Sequence, residues 1–446
     1  MNFNEANNIK SVRKSLTMIK EYFFLWKNIY RSRDQLLDLQ RKRITSMVRQ
    51  AYTNSTYYRN IFDDIDFHPD DLIRDFNSFQ LIPILSKEEL RKIDISDIIS
   101  RKYKNIDTLI NYPTSGSTGV PYYIYKSKKD STKNDLAHIR SFLYNKWGTF
   151  SKIVSIVGDI EVREPSIFQR LGILPIKYIS INQPISDIVR KVQKLDFDIL
   201  KGYTDDIRLM AKYIIDNKIK NIRPKIVSTT AALLDDITKK LIVEAFEVEP
   251  MDSYGAADAG QIAWHCSERN YHINIDMVYV EIIKEGKPVK MGDSGEIVIT
   301  VLWNKAFPLI RFKLGDIVSL KEGICKCGCE FPLLNMIDGK TIDFIVLPNG
   351  NIVPPHSPKQ VMIDVTQVDG FKIIQDTISN VIVQIVPNKY YNNDVKEKII
   401  KNMSLVFNND IDVRVEEVKQ IPRGIRKFST IESKIGQDYL MGKNIS

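Results

Sequence analysis

The sequence predicts an α/β protein, with a large N-terminal domain of mixed sheets and helices followed by a small α+β C-terminal domain. Between Ile153 and Phe246, short apolar segments alternate with amphipathic helical segments, which is typical of βαβ units and a largely parallel sheet. Over His272–Ile317 the pattern changes to short strands typical of antiparallel hairpins. A new series of strands and one helix starts after Gly339. We therefore expect one domain over residues 1–338 and a second over residues 339–446.

Length and composition are those of a soluble protein with more than one domain. The chain has 446 residues, more than one typical domain, of which 43% are hydrophobic and 27% charged. The net charge of +9 is not arranged with aromatic residues in a stripe, so nucleic-acid binding is not expected. Such a charge suits an anionic substrate such as a nucleotide. No run of 18 apolar residues occurs, so no membrane-spanning helix is expected.

The first 100 residues are predicted to form a helical lead-in to the N-terminal domain. Apolar residues recur at spacings of three to four from Leu36 to Val48, with polar residues between them. This helix should stop near Asn54 and Ser55. The segment that starts at Ser86 has the pattern of a capped helix start.

The remaining chain is predicted to contain strands and helices in a regular order. In the N-terminal domain these are the strand Tyr122–Tyr125, helix Ser131–Trp147, strands Ile153–Val157 and Ile179–Ile181, helix Ile185–Leu195, strand Ile199–Leu200, helix Asp205–Asn217, strand Lys225–Ser228, helix Asp235–Phe246, and strands Val278–Ile283 and Gly295–Thr300. In the C-terminal domain they are the strands Phe371–Gln375, Val381–Val386 and Ile411–Val418 and the helix Asn393–Phe407.

A Ser/Thr/Gly segment between Tyr112 and Pro121 is a candidate for ligand binding. Four hydroxyl residues and two glycines occupy Thr114–Gly119, with a proline on each side. Glycine lets the backbone approach a ligand closely, and a turn that points successive N–H groups inward suits an anion such as phosphate. No lysine follows in the Walker A pattern. Taken alone, the segment fits a phosphate-binding loop and a solvated connector equally well.

Three further segments combine glycine with charged or aromatic residues. They are Asp252–Gly260, Leu309–Asp316 and Ile421–Phe428. An ordinary turn explains each of them, taken alone, as well as a binding site does.

The order of these segments resembles the adenylate-forming superfamily of acyl- and aryl-CoA ligases. TSGSTG comes first, then YGAAD, then RFKLGD, then a late lysine. The chain more closely resembles the phenylacetate–CoA ligase and CapK-like capsule-biosynthesis branch, over residues 35–435. The other segments that carry the resemblance are Leu39-Gln40, Arg43, Tyr57-Tyr58-Arg59, Lys201-Gly202-Tyr203 and Cys325-Lys326-Cys327-Gly328.

The resemblance implies that the protein binds ATP together with Mg²⁺. The Ser/Thr/Gly segment would hold the ATP phosphates, and Thr118 would also take part in catalysis. The residues of this segment are Thr114, Ser115, Gly116, Ser117, Thr118 and Gly119. Asp258 stands where the family usually has a glutamate that binds Mg²⁺, and a carboxylate oxygen is a suitable ligand for that ion.

The resemblance also assigns roles around the nucleotide. Tyr254 would pack near the adenine, Gly255 would allow close approach, and Asp316 would accept hydrogen bonds from the ribose hydroxyls. Lys427 would reach the substrate carboxylate and the α-phosphate from a mobile C-terminal domain. Three further positions implied in nucleotide binding are Ala231, Ser253 and Lys340.

The sequence departs from the family pattern at four places, and at one of them, Thr229–Ala232, a glutamate often found at the end of the segment is absent. Ala257 replaces a usual threonine or serine, and Lys340 replaces an arginine, which keeps the charge but loses bidentate geometry. Aligning Lys427 requires a gap of one or two residues, because the usual glycine before the lysine is absent. Arg423 and Arg426 therefore compete with Lys427 for its role.

The four cysteines are expected to be reduced and partly engaged in a metal site of a cytoplasmic protein. Three of them lie within five residues, Cys325 to Cys329, which does not fit a disulfide framework in a chain of this size. Cys266 and His272, together with Cys325 and Cys327, offer two pairs of sulfur or nitrogen donors for a tetrahedral structural Zn²⁺. Some members of the resembled branch look similar at these positions. Cys329 falls outside the pattern, His265 competes with His272, and a set of thiols without metal stays an alternative.

The resemblance implies an AMP-forming ligase. We expect the protein to activate a small carboxylic acid with ATP, release pyrophosphate, and pass the acyl or aryl group from the adenylate to CoA. A sugar or amine acceptor in surface-polysaccharide biosynthesis is one alternative, and a nucleotide-binding partner protein that no longer catalyses is another. The sequence indicates neither the identity of the acid nor the oligomeric state.

Overall fold

A computed structural model provides the structure of the protein. It describes residues 19–103, 105–113, 122–158, 169, 172–181, 183, 185–340, 345–349, 352–353, 356–363, 365–421, 430–433 and 435. The chain divides into two compact units, of which the first comprises Met1–Thr149, Met251–Leu314 and Val318–Asn335. The second unit comprises Phe150–Pro250, Gly315–Ile317 and Met336–Ser446.

The first unit begins with helices whose ends are set by serine caps. A helix over residues 19–28 precedes the long helix Arg33–Asn54, which starts at a capping box formed by Ser32 and Gln35. Ser55 ends this helix, as predicted, and its side chain accepts a hydrogen bond from an N–H of the next helix, Thr56–Asp64. Helices thus occupy residues 19–28 and 33–64 of the predicted lead-in, apart from Ser55, with a break at residues 29–32.

Shorter helices complete the described helical part of the first unit. They are Asp71–Arg74, Lys87–Lys92, Ile95–Ile98 and Lys128–Tyr144, with 3₁₀ turns at Phe76–Leu81 and Ile106–Thr108. The predicted cap at Ser86 is present as a second capping box, since Ser86 accepts from the N–H of Glu89 while the Glu89 side chain accepts from the N–H of Ser86.

Twenty strands are found among the described residues. In chain order they are β1 (Ile110–Pro113), β2 (Tyr123–Lys126), β3 (Ile153–Val157), β4 (Ile176–Ser180), β5 (Ile199–Tyr203), β6 (Ile226–Thr230), β7 (Met251–Ala256), β8 (Gly260–His265), β9 (Tyr271–Ile273), β10 (Val278–Lys284), β11 (Lys287–Pro288), β12 (Ser294–Val301), β13 (Phe312–Lys321), β14 (Leu333–Lys340), β15 (Ile345–Val346), β16 (Ile352–Val353), β17 (Val368–Thr377), β18 (Asn380–Pro387), β19 (Asp412–Glu417) and β20 (Ile431–Ser433).

The main sheet of the first unit has the order β11-β10-β12-β13-β14-β9-β8-β7, and β1 and β2 form a separate hairpin. The two strands predicted to be antiparallel, β10 and β12, pair with Val278 opposite Val301 and Ile283 opposite Glu296. Strand β9 pairs antiparallel with β8 on one side and with β14 on the other. This second pairing brings together segments about 60 residues apart in sequence, since it places His272 opposite Leu333.

The second unit contains the predicted parallel sheet. Its strands have the order β6-β5-β3-β4, and every neighbouring pair is parallel. The helices that alternate with them are Ile185–Gln193, Thr204–Asp216 and Asp236–Phe246. Buried aliphatic residues of strands and helices, such as Leu200, Ile207 and Ile242, share one core. The α/β class and the predicted alternation of parallel strands with helices are therefore confirmed.

The C-terminal part of the chain has a core of its own. Strands β19-β18-β17-β20 form a mixed sheet in which β17 and β18 are antiparallel, and the helix Asn393–Val406 packs against β19. The helix His356–Ile363 lies in the same region. The buried residues of this core all come from the segment Ile345 to Ile431. A boundary at residues 338–339 stays a prediction. Within the described residues, no helix combines the length and the hydropathy needed to cross a membrane.

Candidate active site and metal centre

The Ser/Thr/Gly segment Thr114–Gly119 lies outside the described residues, and so do Arg423, Arg426 and Lys427. The strands on either side of the segment are described. Strands β1 and β2 pair antiparallel, with Ile110 opposite Lys126 at the far end. The two strands that flank the segment in the sequence are therefore paired with each other.

The YGAAD segment forms the turn of a second hairpin, between β7 and β8. A bulge interrupts the pairing after Tyr254, and Gly255 then lies opposite Gln261. A Cβ atom added at Gly255 would lie 2.5 Å from the carbonyl oxygen of Gly260. Gly260 has a φ of +72°, and a Cβ there would lie 2.0 Å from Oδ1 of Asn134. The absence of a side chain at Gly255 therefore lets β8 pack closely against β7. This packing role could not be predicted from the sequence motif.

Asp258 lies at the tip of this turn, and its side chain is buried. The phenol of Tyr122 donates a hydrogen bond to Oδ1 of Asp258 at 2.8 Å. The ammonium group of Lys126 donates to the main-chain carbonyl of Ala257 at 2.8 Å. The same ammonium lies 5.2 Å from the ring centroid of Trp303, whose indole N–H donates to the carbonyl of Ala259.

These contacts bring two segments of the first unit together although they lie more than 130 residues apart. Tyr122 and Lys126 belong to the hairpin arm that follows the Ser/Thr/Gly segment, and Asp258 belongs to the YGAAD turn. The contact from Lys126 uses a carbonyl rather than a side chain, so the alanine at position 257 leaves it intact. The turn therefore has a buried carboxylate, whose oxygens are suitable ligands for a hard cation such as Mg²⁺, and an ammonium group hydrogen-bonded to its main chain, which suits an anionic ligand.

Ser253 belongs to a hydrogen-bond network inside the first unit. Its hydroxyl accepts from Nε2 of Gln261 at 3.0 Å, and the same amide nitrogen lies 3.2 Å from the hydroxyl of Ser141. The carbonyl oxygen of the Gln261 side chain accepts from Asn274 at 3.2 Å. Tyr254, the next residue, is half-buried. Sequence reasoning missed Gln261, Tyr122 and Lys126, because none of them belongs to a recognisable motif.

The other predicted nucleotide residues lie in the second unit. Asp316 is buried on β13, and Ala231 has a φ of +76° directly after β6. Lys340 ends β14, and its side chain lies outside the described residues. Gly202, of the Lys201-Gly202-Tyr203 segment, is closely packed, since an added Cβ would lie 3.0 Å from Cδ1 of Ile207, which would have to shift slightly.

Arg311 of the RFKLGD segment is a buried structural residue. Its guanidinium forms a bidentate pair with Glu281, with donor–acceptor distances of 3.1 and 3.0 Å. It also donates to the carbonyls of Gln80 and Ile82, at 2.8 and 2.6 Å. Burial raises the pKa of Glu281, and the charge of Arg311 opposes that rise. Arg311 thereby fixes the start of the strand that carries Asp316.

Four of the predicted metal ligands come together in the first unit. The ligand atoms of Cys266, His272, Cys325 and Cys327 all lie within 4.8 Å of one another. The Cys266 and Cys325 sulfurs are 3.6 Å apart, and the Cys327 sulfur is 3.3 Å from Nε2 of His272. All four cysteines of the chain are described, and none forms a disulfide. The pairing of β9 with β14 produces this arrangement, because it holds His272 beside the segment that follows the cysteine turn.

The protonation and orientation of His272 are those of a metal ligand. Burial lowers the pKa of His272 to about 4, so the ring is neutral at physiological pH. Its Nδ1 lies 3.2 Å from the carbonyl oxygen of Phe331, which can only accept. Nδ1 therefore carries the proton, and the lone pair of Nε2 points toward Cys327, as in metal sites with an ordered second shell.

The two alternative ligands are not part of this cluster. His265 accepts a hydrogen bond from the N–H of Asp252 through its Nδ1, at 3.1 Å. Cys329 is buried among apolar residues such as Phe331 and Leu333. Burial raises the pKa of the Cys266 thiol to about 12, which disfavours the thiolate unless a cation compensates its charge. The S₃N donor set fits Zn²⁺.

One family model and several known proteins match the sequence of this chain. The family model described as the CapK C-terminal domain matches residues 345–434. Protein CapK of Staphylococcus aureus is 24% identical over 426 residues, which cover 90% of each chain. Phenylacetate-coenzyme A ligase of Escherichia coli (strain K12) is 21% identical over 355 residues, which cover 74% of this chain and 76% of the ligase.

Solved structures share the fold. The crystal structure of 2-hydroxyisobutyryl-CoA ligase in the postadenylation state, in complex with R3-HIB-AMP, has a TM-score of 0.73 at 15% identity and covers 94% of both chains. The anthranilate CoA ligase AuaEII in complex with anthranoyl-AMP has a TM-score of 0.52 at 11% identity, covering 81% of this chain and 75% of that ligase. Together, the sequence relatives and the shared fold support the resemblance to the branch of the adenylate-forming superfamily that contains CapK and the phenylacetate–CoA ligases.

Proposed function

We propose that the protein activates a small carboxylic acid with ATP to an acyl- or aryl-adenylate and then transfers the acyl group to CoA. The observation that carries the proposal is the joining of the Tyr122–Lys126 hairpin arm to the YGAAD turn, through Asp258 and the carbonyl of Ala257. The arm follows the segment that would hold the phosphates, and Asp258 is the position that would hold Mg²⁺. The named relatives and the solved CoA ligases support the same activity.

The chemistry explains why these groups belong together. Attack of a carboxylate on the α-phosphate brings two anions into contact, so positive charge and hydrogen-bond donors must stabilise the transition state. Asp258 would hold Mg²⁺, which supplies part of that positive charge when bound. Tyr122 fixes the Asp258 carboxylate, and Lys126 adds a cation at the same turn. Thr114–Gly119 would hold the phosphates, with the Thr118 hydroxyl at the leaving pyrophosphate.

The other roles in the nucleotide site are proposals of the same kind. Tyr254 would pack on the adenine, and Asp316 would accept from the ribose. Lys427 would contact the α-phosphate and the substrate carboxylate. It would be carried by a mobile domain that starts at residue 339, and the hydrophobic core confined to residues 345–431 supports a domain there. The remaining nucleotide contacts would come from Ala231, Ser253, Gly255 and Lys340.

CoA is the preferred acceptor. Several relatives are phenylacetate-coenzyme A ligases, and a solved structural neighbour is described with both 2-HIB-AMP and CoA. These names favour a thiol acceptor over a sugar or an amine.

The Cys/His cluster would hold one structural Zn²⁺. The four donors come from the end of β8, from β9 and from the turn before β14, so the ion would tie these segments together. A structural site uses four protein ligands and leaves no position for substrate, which matches a closed set of three sulfurs and one nitrogen.

The proposal is tested by ATP–pyrophosphate exchange over a broad panel of carboxylic acids. At least one acid should stimulate exchange, and Asp258→Asn should lower the stimulated rate by about 100-fold or more, because a charged group acting on the transition state is lost. Asp293→Asn is the matched control, since Asp293 is exposed in the same unit, and it should leave the rate unchanged. ATP binding without exchange for any acid would instead indicate a nucleotide-binding partner protein.

A further inference from the structure

The first described helix, residues 19–28, has one face firmly attached to the first unit. Leu25 and Asn28 on this face are fully buried. The carbonyl of Leu25 accepts from Arg140 at 3.0 Å, and the amide of Asn28 donates to Asp276 at 2.7 Å. A hydrogen-bonded turn follows the helix, since the N–H of Tyr30 donates to the carbonyl of Lys27. The orientation of the helix about its own axis is therefore fixed.

Away from this face lies an apolar stripe, here called the aromatic stripe, formed by the exposed side chains of Ile19, Phe23 and Tyr30 and by Trp26, which also packs against the buried core. Ile19, Phe23 and Tyr30 are 42%, 63% and 65% exposed. Spacings of four and three residues place Ile19, Phe23 and Trp26 on one side of the helix, and Tyr30 follows in the turn. Trp26 is half-buried, and its ring centroid lies 5.8 Å from that of Tyr30. Large apolar side chains aligned in this way usually mark an interaction surface.

The charges around the aromatic stripe are positive. Lys20 and Lys27 are exposed, and no carboxylate of the described residues lies within 4 Å of either ammonium group. Glu21 is the acid of residues 19–31, and it is neutralised by Lys133 at 2.9 Å. The outer face of the helix is therefore cationic as well as apolar.

The sequence of residues 1–18 also combines regularly spaced apolar residues with basic ones. Apolar residues continue the spacing of three and four at Ile9, Val12 and Leu16. Basic residues lie between them at Lys10, Arg13 and Lys14, and Glu5 is the acid of this segment.

We propose that the aromatic stripe, with Lys20 and Lys27, docks the protein on a membrane surface that carries anionic lipid headgroups. Phe, Trp and Tyr are the side chains that favour the membrane–water interface, and lysines beside them attract anionic lipid. Pairing with a second copy of the chain fits neither the aromatic side chains of the stripe nor its positive charge. A coiled-coil seam is built from aliphatic side chains, and a second copy would bring the same positive charges. Catalysis would then take place close to a membrane surface.

Vesicle flotation of the full-length protein tests the proposal. The protein should float with phosphatidylcholine vesicles that contain a quarter phosphatidylglycerol, and at least about tenfold less with phosphatidylcholine alone. Phe23→Ser/Tyr30→Ser should weaken binding to the anionic vesicles by about tenfold or more, because buried aromatic area is lost. Lys20→Glu/Lys27→Glu should weaken it similarly and remove the preference for anionic lipid.

The matched control is Phe150→Ser/Tyr390→Ser, which removes the same residue types at 73% and 66% exposure elsewhere in the chain. This variant should float like the wild type. Equal loss in both serine variants would overturn the proposal, as would flotation that ignores phosphatidylglycerol. A dimer seen by light scattering that Phe23→Ser/Tyr30→Ser dissociates, without vesicle binding, would assign the stripe to a second copy instead.

Discussion

Replacing Arg140 with methionine should strongly destabilise the first unit. Arg140 is fully buried and donates to both carboxylate oxygens of Asp276, at 2.6 and 3.0 Å. It also donates to Oδ1 of Asn274 at 2.7 Å and to the carbonyl of Leu25 at 3.0 Å. Breaking a buried ion pair from one side costs roughly 3–5 kcal/mol, and loss of the donor to the carbonyl of Leu25 adds about 1–3 kcal/mol, whereas Oδ1 of Asn274 keeps the hydrogen bond from Trp264. We therefore expect a loss of about 5 kcal/mol.

Urea unfolding followed by tryptophan fluorescence measures this loss in the correct unit. All four tryptophans lie in the first unit; they are Trp26, Trp147, Trp264 and Trp303. Trp264 is part of the network itself, since its indole N–H donates to Asn274 at 3.0 Å. With an m-value of about 3 kcal/mol/M, the midpoint should fall by more than about 1 M. A fall below about 0.3 M would refute the reasoning.

Two further variants test whether the loss of stability in Arg140→Met comes from the unpaired buried carboxylate of Asp276 or from the removal of an arginine as such. Arg74→Met should change stability by less than about 0.5 kcal/mol, because Arg74 is 83% exposed and its pair with Asp71 is solvated. Arg140→Met/Asp276→Leu should recover a large part of the loss, since no unpaired charge stays buried.

The same ion pair predicts how stability depends on pH. Burial alone would raise the pKa of Asp276, but the charge and hydrogen bonds of Arg140, with smaller contributions from Arg43 and Asn28, outweigh it and lower the pKa. Because the folded pKa is below the unfolded one, the contribution is complete above the ordinary carboxyl pKa of about 4 and is lost as pH falls through the folded value. Arg140→Met should abolish this acid-dependent part.

Three further predictions concern the proposed sites. Cys327→Ser should lower the zinc content of untagged protein from about one atom per chain, whereas Cys329→Ser should retain it; equal zinc loss in both would remove Cys327 as a specific ligand. Lys427→Ala should abolish acid-dependent exchange while Arg423→Ala retains it, and the reverse result would transfer the role to Arg423. Gly255→Ala should destabilise the first unit by about 1–3 kcal/mol in urea unfolding, because a methyl group would lie against a carbonyl; unchanged stability would show that the turn relaxes freely.

The fold could be predicted where local rules decide it. Alternating apolar and amphipathic segments identified the parallel strands and their helices, because each strand of such a sheet is buried on both faces. The helix end at Ser55 followed from capping chemistry, which a few neighbouring residues determine. The antiparallel pairing of β10 with β12 followed from their closeness in the chain.

The site could be predicted only in part, because contacts over long sequence distances decide it. Ligand types and spacing identified both Cys/His pairs, but the choice of His272 over His265 depends on the pairing of β9 with β14. No sequence pattern indicated the roles of Tyr122 and Lys126, because Tyr122 contacts a carboxylate and Lys126 a main-chain carbonyl that are both distant in the sequence.

The most direct test of the central claim is mass spectrometry of the products formed with ATP, Mg²⁺ and the acid that best stimulates exchange. Without CoA, the account predicts protein-bound acyl-adenylate and pyrophosphate, with no more than one adenylate per chain. With CoA, it predicts the acyl-CoA thioester and AMP in equal amounts. Formation of ADP and phosphate, or AMP that appears at the same rate without the acid, would contradict it.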